Sequence, residues 1–339
     1  MKYISLFSGI GGFEIAIHNI FPQAKCLGYS EIDKFALKVY KHHFPEHKNM
    51  GDIEDIKERD IKRLLSKEGC DLLVGGFPCT NLTSLARQHS HCNSEGLEGP
   101  KSGLFWKMLN IIKWIQKHNP KGKKLNLIIE NNASMKKVYK ETITSQLQKL
   151  FKTPISCTML NGADFGVQTR RRLYWTTFEV DNDNIICSQT WKDVLEPLKK
   201  INNFLGFNHI VNTGNKIFKN TRSNYTVILE NVEGNIWKEN KIIGNHKSNW
   251  QLDRHSTIKN EKSVPVTRNR NIHCSIWDYR VKKKDCFYVR YFESVETERL
   301  FFIPEGWVSD LCSKTRCQKL LGNTVIVKVI EFILKQMKH

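Results

Sequence analysis

The chain has 339 residues, 40% of them hydrophobic, and carries a formal net charge of +19 with a pI near 9.5. That length suits one large domain with a smaller second one. No apolar run approaches the ~18 residues of a membrane span, and so large a positive excess favours a polyanionic partner, nucleic acid first. Ten cysteines are scattered without paired spacing, which argues against a disulfide framework and reads as reduced thiols in a cytosol. The first residues run straight into a glycine turn and an acid, which is not the pattern of a cleavable signal.

Residues 3–7 read as a short strand and 13–21 as an amphipathic helix, with Ser8-Gly9-Ile10-Gly11-Gly12 between them. Glycines at such a turn let backbone approach a ligand and expose helix N-terminal amides. A plain tight turn has the same composition, and the G-x-G-x-x-G dinucleotide fingerprint is not matched. A second strand over 25–30 ends at Glu31, where a carboxylate can accept from both hydroxyls of a ribose. Asp33 beside it suits the cap of a helix over 34–42. Gly51-Asp52-Ile53 stands where a third strand tip is expected, with Asp52 able to take an exocyclic amine of adenine and Ile53 to pack on the ring. Singly, each acid is more often a cap or a surface charge; in strand order they outline an adenosine site.

The apolar run 70–74 reads as a buried parallel strand leading into Gly75-Gly76-Phe77-Pro78-Cys79. A thiol at that edge lies where open α/β sheets bind ligands, and a free thiol titrates near pH ~8.5, so modest local help produces a thiolate. The polar stretch 80–99 reads as a lid; its His89, His91 and Cys92 have no second ligand pair nearby, so no metal is expected. Strand 125–129 ends at Glu130. If 168–173 is extended, Arg170 and Arg172 share a face and Arg171 points away. Residues 179–262 hold no readable motif. Between Gly206 and Lys284, Lys and Arg outnumber Asp and Glu 15 to 6, which makes this segment the leading nucleic-acid surface. Gly322-Asn323-Thr324-Val325 then precedes an apolar helix over 327–337, expected beside the first glycine loop.

Taken in order, these segments resemble the C5-cytosine methyltransferase family. Phe7-Ser8-Gly9-Ile10-Gly11-Gly12, Glu31, Gly51-Asp52-Ile53 and Gly76-Phe77-Pro78-Cys79 are similar to its first four motifs. Glu130-Asn131-Asn132 resembles Glu-Asn-Val, Gln168-Thr169-Arg170-Arg171-Arg172 matches Gln-x-Arg-x-Arg, and Gly322-Asn323-Thr324-Val325 matches the closing Gly-Asn-x-Val. The resemblance covers roughly 1–178 and 262–339. It implies an α/β fold: a Rossmann-like S-adenosylmethionine-dependent methyltransferase sheet with helices on both faces, plus a smaller target-recognition domain. Residues 1–178 with 263–339 would form the catalytic and cofactor-binding domain, and 179–262 the recognition domain.

The same resemblance implies that S-adenosylmethionine, leaving as S-adenosylhomocysteine, is held by Phe7, Gly9, Gly11, Gly12, Glu31, Ile32, Asp52, Ile53, Pro78, Leu104, Asn323 and Val325, without a metal. Cys79 would add to C6 of cytosine, and Glu130 would bond as a protonated acid to N3 and the exocyclic amine. Arg170 and Arg172 would flank the base, one of them donating to O2. The outcome would be a methyl on C5 of a cytosine flipped out of a specific duplex DNA sequence, through a covalent Cys79–C6 intermediate. A cytoplasmic monomer of prokaryotic or viral origin is expected, with duplex DNA as partner, no membrane, and a separately acting restriction endonuclease left open. Phe77, Thr80 and Asn132 depart from the family's usual proline, glutamine and valine. Three rivals are a tRNA cytosine-C5 methyltransferase, whose Cys-Phe-Thr signature Cys286-Phe287-Tyr288 does not match; a catalytically inactive DNA-binding homologue; and a nicotinamide-dependent oxidoreductase, which would need a different glycine fingerprint and leave Cys79 and the arginines without a role.

Overall fold

The computed structural model describes residues 1–65, 68–78, 97, 99, 103–197, 204–205, 207–208, 215–220, 226–230, 242–243, 256–257, 275–277 and 289–337. Backbone contacts divide the chain into two compact units. One comprises Met1–Asn161, Arg171–Ile185 and Thr324–His339; the other comprises Gly162–Arg170 and Ile186–Asn323.

The first unit is built on a six-stranded sheet. Strands β1 (Lys2–Leu6), β2 (Lys25–Ser30), β3 (Leu72–Gly75) and β4 (Asn126–Asn132) are parallel, while β5 (Ser156–Asn161) and β6 (Arg171–Thr176) pair antiparallel, in the order β2-β1-β3-β4-β6-β5. The central strands are near-continuous apolar runs because both faces are covered. On one face Ile4, Leu6, Leu73, Leu127, Ile129 and Trp175 pack with Ile61 and Leu65 of α3 (Glu58–Leu65) and with Phe105, Met108, Ile112 and Ile115 of α4 (Leu104–His118). Each such side chain contributes about 1.5–3 kcal/mol by leaving water. Helices α1 (Gly12–Ile20) and α2 (Lys34–His43) follow β1 and β2, and α5 (Lys137–Gln148) follows β4. Asp33 caps α2, its Oδ1 accepting from the amides of Phe35 and Ala36 at 2.9 and 3.2 Å.

Two expectations need correction. No strand precedes Gly51: among the described residues that stretch holds a single bridge, Tyr29 to Asn49, and then turns. Strand β4 does not stop before Glu130 but runs on through Asn132. The reason is that β6 supplies ladder partners, Glu130 opposite Tyr174, Asn131 opposite Leu173 and Asn132 opposite Arg172.

In the second unit, β8 (Phe207–Asn208), β9 (Asn215–Asn220), β10 (Thr226–Glu230) and β11 (Ile242–Ile243) form one antiparallel sheet. β7 (Phe204–Leu205), β12 (Ser256–Thr257), β13 (Ser275–Trp277) and β14 (Val289–Tyr291) form another. Pairing of β14 with β7 groups residues beyond 262 with those before it, whereas the motif-based boundary was drawn at 262/263. Short helix α6 (Trp191–Val194) and helices α7 (Ser294–Leu300) and α8 (Lys314–Gly322) complete this unit. The buried Glu298 carboxylate orders the loop after α7 by accepting from the amides of Gly306, Val308 and Ser309. Helix α9 (Val327–Lys335) belongs to the first unit and packs on α1. Among the described residues, no helix is long and apolar enough to cross a membrane.

Candidate active site

The turn after β1 is conformationally demanding. Phe7 is a non-glycine residue at φ +56°, and Gly9 and Gly11 lie at φ +58° and +91°. Left-handed backbone at a bulky residue is uncommon and concentrates at functional sites. The glycines serve different ends. A Cβ on Gly9 would meet nothing within 4 Å, so its backbone borders open space; one on Gly11 would sit 2.7 Å from the Phe44 ring; one on Gly12 would strike Thr324 and Val325. Val325 therefore closes on the loop from the turn before α9.

Glu31 follows directly on β2 and ties that turn down. Its Oε2 accepts from the Gly9 amide at 2.8 Å, and its Oε1 from the amides of Ile32 and Asp33. Ile32 is 65% exposed, an apolar side chain left open beside the loop. Gly51 stands at φ +82° with nothing within 4 Å of its Cβ position. Asp52 uses Oδ1 to accept from the Glu54 amide in the following turn, and Ile53 is buried in the core. Open space at two glycines, an exposed isoleucine and a carboxylate at the strand end fit the adenosine end of a nucleoside cofactor. Leu104 opens α4, half-buried against the main core along with Phe7.

β3 leads out through Gly76-Phe77-Pro78; Cys79 and the segment 80–96 lie outside the described residues. Asn131 of β4 is buried and donates through Nδ2 to the Phe77 carbonyl at 3.0 Å, anchoring this exit. Sequence reasoning gave Asn131 no role; its place beside the acid in an apolar strand was the available signal. Glu130 projects next to it. Its Oε1 accepts from Arg172 Nε at 2.8 Å, with side chains only 14% and 15% exposed, and its Oε2 lies 2.9 Å from where a Cβ on Gly76 would stand. Arg172 also donates through Nη1 to the Arg171 carbonyl.

The two arginines do not share a strand face, contrary to the expectation. β6 starts only at Arg171, where the ladders to β4 and β5 begin, so Arg170 lies outside the strand that carries Arg172. Arg170, 5% exposed, donates to the Gly322 carbonyl at 3.2 Å and lies 5.3 Å over the Phe301 ring, within the second unit. Asn323 is exposed and ends α8. A separate cleft of about 1350 Å³ opens at the other end of the sheet, where β4 begins, lined among others by Asn119, Lys124, Phe151 and Lys335; none of the predicted site residues among the described residues borders it.

Comparison with known proteins gives a consistent pattern. The family described as C-5 cytosine-specific DNA methylase matches over residues 1–339. The type II methyltransferase M1.ScrFI of Lactococcus lactis subsp. cremoris is 33% identical over 183 residues, 52% of this chain and 41% of that protein. M.HhaI of Haemophilus parahaemolyticus is 30% identical over 187 residues, covering 53% and 50%. The orphan methyltransferase M.Rho11sI of Bacillus phage rho11s is 30% identical over 211 residues, covering 59% and 38%. The chain thus spans about half, or less, of the length of these relatives. Among solved structures, the Entamoeba histolytica methyltransferase EhMeth superposes with a TM-score of 0.69 at 16% identity, covering 99% of this chain and 97% of that one. A mutant of Spodoptera frugiperda DNMT2 gives 0.65 at 17% identity, covering 98% of each.

Proposed function

The chain belongs to the C-5 cytosine-specific DNA methylase family, and on that premise we propose that it methylates C5 of a cytosine flipped out of duplex DNA, holding the base covalently through Cys79. S-adenosylmethionine, when bound, supplies an electrophilic methyl. Phe7, Gly9, Glu31, Ile32 and the Gly51-Asp52 turn would hold its nucleoside. The observation that carries the reading is the Glu130–Arg172 pair on β4 and β6, with β4 directly beside β3, whose exit leads to Cys79.

The chemistry assigns each side chain a task. Cytosine C5 is a poor nucleophile until the Cys79 thiolate adds to C6, forming the S–C6 bond and pushing the ring electrons toward C5. Charge then builds at N3 and O2; the Glu130 carboxylate, paired with Arg172 in the free enzyme, takes up a proton as the base binds and meets that charge by bonding to N3 and the 4-amino group. Arg172 orients that carboxyl through Nε. Once C5 carries the methyl, its proton leaves and the S–C6 bond breaks, restoring the aromatic ring and the thiolate. Arg170, held on Gly322 and Phe301, would set the backbone from which β6 starts. Base flipping costs a few kcal/mol, and residues 179–262, with the basic segment around them, would supply phosphate contacts and target choice.

A duplex carrying 5-fluorocytosine at the methylated position tests the covalent route. Fluorine cannot leave as a cation, so elimination stalls and a denaturant-resistant adduct is expected on a gel. Only dissociable complexes, from enzyme that methylates ordinary DNA, would refute the covalent step. Bisulfite sequencing of ordinary product identifies the target site.

Gly76→Ala probes the acid's placement. The new methyl would displace Glu130 Oε2 from a position 2.9 Å away. A carboxyl moved by about 1 Å is expected to lower kcat by about 100-fold, with S-adenosylhomocysteine binding by calorimetry unchanged. Unaltered kcat would mean that this position of Glu130 is not the working one.

A further inference from the structure

Beneath the glycine loop lies a buried polar cluster that the chemistry above leaves unused. Glu14, in the first turn of α1, is fully buried. Its Oε1 is 3.0 Å from Tyr40 Oη; Tyr40 Oη is 3.1 Å from His47 Nδ1; and His47 Nε2 is 3.1 Å from Glu46 Oε1 at the surface. Tyr40 stacks on Tyr29 with centroids 3.9 Å apart, and with Phe44 it lies against the position a Gly11 side chain would take. Tyr29 in turn fixes the approach to Gly51, its carbonyl accepting from the Met50 amide at 2.7 Å. One cluster thus touches all three segments assigned to the nucleoside: the glycine loop, the end of β2 and the Gly51 turn.

We propose that Glu14 is a positioning residue for the cofactor, holding the glycine loop and the Gly51 turn through a directional Glu14–Tyr40–His47–Glu46 hydrogen-bond chain. The inference rests on reading the glycine loop as the cofactor site. Its physical basis is donor counting. The Tyr40 phenol has one hydrogen. If Glu14 carries a proton, it donates to Tyr40, Tyr40 donates to His47 Nδ1, and His47 Nε2–H donates to Glu46, so every link is satisfied with neutral groups inside. If Glu14 is ionised, Tyr40 must turn its hydrogen back. His47 then either faces Glu46 with a lone pair or takes a second proton, which its burial opposes.

Glu14 Oε2 makes no well-formed hydrogen bond among the described residues, and Ser5, Tyr40 and the Glu14 backbone amide beside the carboxyl offset the cost of burying its charge only in part. The surroundings agree. Ser5 and Tyr3 face the cluster from β1, His18, edge-on to His47 with centroids 5.8 Å apart, from α1, Cys26 and Tyr29 from β2, and Tyr40 from α2, while Glu31 lies within electrostatic reach. On α9, Glu331 pairs with Lys328 and Asn19 instead. Burial, the largest cause, pushes the Glu14 carboxyl up to about 7. Because the folded state holds this proton more tightly than the unfolded one, the stability it confers is complete below the ordinary carboxylate range and is lost as pH rises to about 7.

Calorimetric titration of the full chain with S-adenosylhomocysteine at about pH 6 and about pH 8.5 is the test. Wild-type affinity is expected to fall by about fivefold over that interval. Glu14→Gln, whose amide can donate like the neutral acid, should stay tight and flat with pH. Tyr40→Phe, which cuts the chain, should be weaker at both and also flat. A Glu14→Gln or Tyr40→Phe profile running parallel to wild type would overturn the inference, as would a flat wild-type profile. No binding by wild type at any pH would overturn the cofactor reading and the inference with it, which separates the two failures.

Discussion

Serine in place of Cys79 is expected to cut methyl transfer by at least about 1000-fold while leaving S-adenosylhomocysteine binding intact. Addition to C6 needs a polarisable anion at neutral pH. A thiol with an ordinary titration near pH ~8.5 reaches that state with little help, whereas a hydroxyl does not. The substitution removes no bulk, so folding should be unaffected and the loss should fall on kcat. Radiolabelled methyl transfer beside calorimetry separates the two quantities. Turnover within about tenfold of wild type would rule out Cys79 as the nucleophile and redirect attention to another route of ring activation.

Loss of Arg172 should have the second-largest effect, visible in stability as well as rate. Its Nε meets the Glu130 carboxylate at 2.8 Å with both side chains mostly shielded from water. Removing one member of such a pair leaves the other's charge uncompensated, which costs about 3–5 kcal/mol. Arg172→Ala is therefore expected to unfold at lower urea and to lose about 100-fold or more in kcat through a misoriented acid. The double variant Glu130→Ala/Arg172→Ala should be more stable than the sum of the singles, by a coupling of about 1–3 kcal/mol. Additivity of the two single losses would show that the contact carries no energy. Lysine should not rescue, because a single ammonium cannot reproduce the guanidinium's simultaneous bonds to Glu130 and to the Arg171 carbonyl.

Much of this was legible in the order of residues because it depends on local rules. The alternation from strand to glycine turn to helix places β1, α1 and β2 close to their predicted spans, and Asp33 caps α2 as its side-chain chemistry suggests. What escaped depends on pairing across long distances. Asn131 and Asn132 look like residues that end a strand, yet β4 keeps them because β6 arrives from forty residues away to bond them. The same arrival begins at Arg171, one residue too late for Arg170 to alternate with Arg172. The Glu14 cluster also went unread, since an acid in a helix beside a glycine turn normally signals favourable helix-end electrostatics. Its burial follows only from α2 and the turn after it closing over that face. The clue was there: Glu14 is flanked on both sides by apolar residues, Phe13 and Ile15, with Ile17 a turn away.

The ladder between β4 and β6 also governs how such a chain can drift. Asn132 faces Arg172 and Glu130 faces Tyr174, so the ion pair runs diagonally across one step of the pleat. Slipping β6 by a single position would carry Arg172 through to the opposite side of the sheet and bring a neighbour to the acid in its stead. Insertions between β5 and β6 that spare 168–170 leave that comb of hydrogen bonds intact and escape this penalty. Length can be gained or lost in the connecting turn, but within the strands the Glu130–Arg172 contact imposes a parity that only paired changes respect.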